Sequence, residues 1–170
     1  MSYLRLPNLR AFSIAVFLTL TLFFSNLALQ AKDPPSDACA MLPTAQLAKM
    51  LEQPYGPPAK TTAPPAQDHV TGTDCTYQST NGMPRKLLFR IYVDPSAAVA
   101  KDTFDKLSTY YGPNTAVTGN WDTAYLDSSH AIHIQKGKVR YYLNLNPVGT
   151  DTVKAEKQLK GLATSVAGQL

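Results

Sequence analysis

Two hydrophobic periods alternate along the chain from residue 44 onward. Leu47, Met50 and Leu51 recur at helical spacing, with Ala45 and Ala48 between them. This predicts a short amphipathic helix, with Thr44 as N-cap and Pro54 and Gly56 as its stop. A period of two predicts a strand over 73–80 and a cleaner one over 86–93. In the second, Leu87, Phe89, Ile91 and Val93 face one way and Leu88, Arg90 and Tyr92 the other. The helical period returns at Ala97, Ala100, Phe104, Leu107 and Tyr111, with Asp94 as the expected N-cap, Pro95 at the first helical position and Gly112-Pro113 as the stop.

The second half repeats the alternation. Short strands are expected at 124–126, 130–136 and 138–146, the last two joined by a two-residue turn at Gly137-Lys138. Ala155, Leu159, Leu162, Ala163, Val166 and Leu170 mark a closing helix over 152–169. Residues 54–67 hold five of the 13 prolines and read as a long irregular surface loop of extended character. These elements predict an α+β domain: a mainly antiparallel sheet of about five strands packed by two long helices, with a short N-terminal helix tied on by a disulfide.

The first 31 residues carry a different pattern. Arg5 and Arg10 precede a run of apolar residues over 11–24, followed by small and polar residues up to Ala31. This describes a secretory signal peptide cleaved after Ala31; the rival reading is an uncleaved N-terminal membrane anchor. The expected organisation is a signal at 1–31, a mobile leader at 32–37 and one domain over 38–170. The exported chain then has 14 basic and 12 acidic residues, a net charge of +2. That is too weak and too evenly spread for nucleic-acid binding. The expected location is periplasmic or extracellular, with no stable membrane insertion once the signal is removed.

Export changes the reading of Cys39 and Cys75, the only two cysteines of the chain. In an oxidising compartment an even pair predicts a structural disulfide. It would span the proline-rich loop and link the entry of the first helix to the first strand. His130 and His133 lie three apart on an expected strand, which points them to opposite faces and argues against a shared metal. His69 has no evident partner. No nucleophile frame, carboxylate pair or phosphate-cradling glycine loop is present. The sequence thus gives no catalytic residue, no metal ligand and no cofactor.

The hairpin is more informative. A turn at Gly137-Lys138 pairs Ile132 with Leu143, His133 with Tyr142, Ile134 with Tyr141 and Gln135 with Arg140. One face is then apolar. The other carries His133, Gln135, Arg140, Tyr142 and Asn144, joined by Arg90 and Tyr92 of the neighbouring strand. Basic, aromatic and amide groups on one face are the candidate surface for a polar or anionic ligand, and the competing reading is an ordinary solvated sheet face. Arg140 and Tyr142 are expected to be exposed there.

Asp37, Cys39, Leu42 and Thr44, then Cys75-Thr76-Tyr77, form a pattern of Asp-x-Cys-x-x-Leu followed by Cys-Thr-Tyr. With the alternating strand, the Phe104 helix and the Ala124-Tyr125 pair, it resembles a family of small exported bacterial proteins of unknown function, many of them lipoproteins. The resemblance covers most of 36–170. The chain departs from that family in reading Leu42-Pro43-Thr44 for Leu-Thr-Pro and Gly119-Asn120-Trp121-Asp122 for Gly-Leu-Gly-Asp, and in having no lipid-bearing cysteine directly after the apolar run. The resemblance implies no catalytic residues. The expected function is an exported, non-enzymatic binding or accessory module of the cell envelope, its partner an envelope protein or a polar or anionic ligand. The alternative is a hydrolase-like enzyme of the same compartment.

Overall fold

The computed structural model describes residues 35–65, 70–82, 84–147 and 151–170. The expected signal peptide, the first half of the leader, and His69 lie outside them. The described helices are α1 (Ala38–Met41), α2 (Thr44–Leu51), α3 (Ala97–Tyr111) and α4 (Thr152–Ala167). The strands are β1 (Ala59–Ala63), β2 (Gly72–Gln78), β3 (Lys86–Val93), β4 (Thr115–Ala116), β5 (Thr123–Leu126), β6 (Ile132–Lys136) and β7 (Val139–Asn146). They form one antiparallel sheet in the order β1-β2-β3-β7-β6-β5-β4. Two meanders, β1 to β3 and β4 to β7, meet where β3 pairs with β7, and α3 connects them. No helix of the described residues is long and apolar enough to cross a membrane.

The sheet has seven strands where five were expected, and each addition has a physical reason. β1 lies inside the proline-rich stretch. Its centre, Lys60-Thr61-Thr62, favours extended backbone, and Pro57-Pro58 and Pro64-Pro65 bracket it at the edge of the sheet, where proline is tolerated. β4 is two residues held by Leu126 and Tyr125 of β5. α1 is a single turn whose N-cap, Asp37, accepts from the amides of Cys39 and Ala40. Two caps also differ from expectation. Thr44 is the first residue of α2 and makes no cap bond, and Ser96, not Asp94, caps α3 through the Val99 amide. His130 is not strand: it stands at φ +61 in the turn before β6.

One face of the sheet carries the core. Tyr77, Leu87, Phe89, Ile91, Ile132, Ile134, Tyr141, Leu143 and Leu145 are buried there against α1, α2 and α4. Ala155, Leu159, Leu162, Ala163 and Val166 of α4 pack on it as the helical period predicted. Two core hydroxyls reach backbone carbonyls: Tyr77 donates to Leu42 O, and Tyr141 to Ala163 O at 2.9 Å. Cys39 of α1 and Cys75 of β2 are joined by a disulfide, 36 residues apart in sequence. The expected disulfide is therefore present, and it ties the unexpected turn α1, just before the expected first helix, to the sheet.

Candidate functional site

The hairpin register is as the turn predicted: Ile132↔Leu143, His133↔Tyr142, Ile134↔Tyr141 and Gln135↔Arg140, with Gly137 at φ +55. The pairing of β3 with β7 sets Arg90 opposite Tyr142 and Tyr92 opposite Arg140. Arg90, Tyr92, His133, Arg140 and Tyr142 thus share the face opposite the core. That face is not open to solvent throughout. Helix α3 lies over its β6 and β7 part, placing Thr103 and Phe104 in buried positions and Phe104 5.0 Å from the Tyr125 ring. The remaining space between α3 and Pro64-Pro65 is a groove of about 430 Å³.

The floor of this groove is built of ion pairs. Arg140 binds Asp94 at two points, 2.6 and 2.7 Å, both side chains buried. Arg90 binds Asp74 in the same way, 2.7 Å at each contact, but its side chain remains 25 % exposed. The hydrogen bonds that Arg90 donates to Asp74, working against burial, raise its pKa further above the ordinary value. The two guanidiniums line the groove, while Asp74 and Asp94 stand behind them, outside its lining. Arg140 also lies over the Tyr92 ring, 5.1 Å from its centroid.

Tyr92 is held from three sides. Arg140 covers it, its hydroxyl donates to Pro64 O at 2.7 Å, and its ring lies against Gly72, its cross-strand partner. A Cβ at Gly72 would stand 2.6 Å from the ring and 2.5 Å from the Ile91 carbonyl, so glycine is what lets the ring lie down on the strand. The side chain is therefore oriented before any ligand arrives.

His133 is the third nitrogen-bearing side chain on the floor. Its Nε2 is 2.8 Å from Asp127 Oδ2, and its ring stacks on Tyr125 at 4.6 Å and 14°. Tyr142 and Tyr111 close the other sides at 4.7 and 5.2 Å. Asp127 also accepts from Ser129 N, Ser129 Oγ and Ala131 N. Burial alone would raise its pKa, but the hydrogen bonds from His133, Ser129 and Ala131 outweigh it and hold the carboxyl at about 2. Burial pushes the Tyr142 hydroxyl up to about 12, so it stays protonated at neutral pH.

The outer wall is apolar and aromatic. Leu107, Tyr110 and Tyr111 of α3 line it together with Leu88 of β3. Tyr110 is 77 % and Tyr111 42 % exposed, and their rings meet edge to face at 5.2 Å. The helical period placed Tyr111 in a buried stripe. It is instead a rim residue, because α3 ends there and the helix covers only part of the sheet.

Of the seven residues expected on the binding face, five line the groove. Gln135 shares the face but is buried, donating to Asp122 Oδ2 and Gly137 O to close the hairpin. Asn144 shares it too and lies outside the groove. The expected exposure of Arg140 is overturned, since Asp94 draws it into the interior. His130 and His133 point apart, His130 to Glu156 of α4 at 2.8 Å and His133 to Asp127. Sequence reasoning missed the three carboxylates and the tyrosine rim. Asp74 had a legible signal: it sits on the same parity of β2 as Thr76 and so faces Arg90 once the strands pair. No model of a known protein family matches the chain, and no curated protein matches it.

Proposed function

We propose that the protein is an exported, non-enzymatic binding module of the cell envelope, and that the groove between α3 and the polar sheet face is its binding site. The observation that carries this reading is the groove itself. It has a pre-oriented polar floor, an apolar aromatic wall and exposed tyrosines at the rim, the anatomy of a ligand site. Its volume falls in the range of small-ligand sites, roughly 300–1,000 Å³. Export rests on the basic, then apolar, then small-residue order of the first 31 residues, and the disulfide is consistent with an oxidising compartment. The resemblance to small exported bacterial proteins agrees with both.

The enzymatic alternative has one supporting observation, the Asp127-oriented His133 in the groove lining. Three features weigh against it. His133 is buried between tyrosine rings, its Nε2 is engaged by Asp127, and the described lining residues include no serine, cysteine or carboxylate. An anionic ligand in the deepest part of the groove is disfavoured too, because Arg140 is already neutralised by Asp94. Fractionation of envelope extract over the immobilised protein tests the reading. A component retained by the protein and lost when the groove wall is altered supports it; retention independent of the groove refutes it. N-terminal sequencing of the exported protein is expected to begin at Lys32, and a chain that keeps Met1 and stays with membranes would establish the anchor instead.

A further inference from the structure

Part of the groove wall is itself proline. Pro64-Pro65 forms one of its walls, and the Pro64 carbonyl already accepts the Tyr92 hydroxyl at 2.7 Å. We propose, building on the binding-module reading, that the groove takes an extended proline-rich segment of a partner protein, laid along the tyrosines beside Pro64-Pro65.

The polar chemistry of the floor selects this class. Guanidiniums only donate hydrogen bonds, and the part-exposed guanidinium of Arg90 is the one the groove presents, with Asp74 behind it. The Asp74 contacts engage the Nε and Nη2 nitrogens of Arg90, and a quarter of its side chain remains exposed. A donor-rich wall suits a ligand rich in acceptors and poor in donors. An ordinary peptide brings an N–H for every C=O, and a glycan brings a donor with each hydroxyl. Consecutive prolines bring carbonyls alone.

The aromatic wall makes the same selection by shape. Tyr110 and Tyr111 stand edge to face on the rim, with Leu107 and Leu88 below, and proline rings pack flat on such surfaces. The ligand is already extended when free, so little ordering entropy opposes binding, and Tyr92 is already clamped by Gly72 and Arg140.

The test titrates a decaproline peptide into the isotope-labelled exported protein, followed by NMR, with a glycine-serine peptide of equal length and a neutral oligosaccharide of N-acetylglucosamine as comparisons. The expected result is saturable binding of decaproline alone, with shifts at Leu88, Tyr92, Tyr110, Tyr111 and Tyr142. Tyr110→Ala with Tyr111→Ala weakens it about tenfold or more, without loss of fold because both rings are exposed. No saturable binding of decaproline, equal binding by the variant, or preference for the glycan overturns the proposal. Self-association abolished by the same variant also overturns it, in favour of a second copy as occupant. If decaproline fails but the variant still loses an envelope component retained by the native protein, the groove is a site for another class. If that retention is unchanged too, the groove reading falls with the ligand.

Discussion

Arg140 and Asp94 form a two-point ion pair across the β3–β7 seam, at 2.6 and 2.7 Å, with 4 % of one side chain and none of the other exposed. Asp94 lies at the first position after β3, and its amide is held by Lys138 O of the hairpin turn, so the carboxylate is fixed from both directions. Arg140→Ala leaves that carboxylate buried and unpaired. The expected cost is about 3–5 kcal/mol, read from the urea midpoint. Replacing both residues with leucine is expected to cost less than the alanine change alone, because neither variant charge is then stranded. A near-normal midpoint for Arg140→Ala would show that the residue is solvated.

Asp127 gives the fold a pH dependence. Its carboxyl is held at about 2, below its ordinary value of 3.8, so the ionised form is favoured by folding. That stabilisation is complete above pH 4 and is lost as pH falls toward 2, and it amounts to about 2 kcal/mol. Asp127→Asn is expected to lower stability at pH 7 by this order and to flatten the acid limb between pH 4 and 2. Denaturant midpoints measured across that range check it. Parallel acid limbs for the native and Asn proteins would refute the assignment.

The disulfide encloses β1 and the proline-rich stretch. Cys39→Ser with Cys75→Ser is expected to cost about 4 kcal/mol in the chain-entropy account of a loop of this size, and less where strain or residual structure intervenes. Intact mass after alkylation, with and without reductant, reports the bond. Two freely alkylated thiols in unreduced exported protein would contradict it.

How much of this was legible depended on whether the information was local. The α4 stripe, the β3 alternation and the Gly137-Lys138 hairpin are set by neighbours within a few residues, and the chain reads them plainly. β1 was hidden because five residues among prolines become a strand only when β2 is beside them. Asp94-Pro95 has the local grammar of a helix start. Arg140, 46 residues away, outcompetes that use of the carboxylate, and Ser96 takes the cap. The polar face was legible as a set of residues on one side of the sheet. Its depth was not, because the placement of α3, and with it Tyr110 and Tyr111 on the rim, is a tertiary fact that no period encodes.

The most direct test of the account is retention of an envelope component by the immobilised exported protein, compared between the native chain and the Tyr110→Ala, Tyr111→Ala variant. Both side chains lie on the rim, so the variant's stability is expected to stay within about 1 kcal/mol of native. The account predicts that a component held by the native protein is no longer held by this stable variant. Undiminished retention by the folded variant would contradict the claim that this groove is where the protein binds.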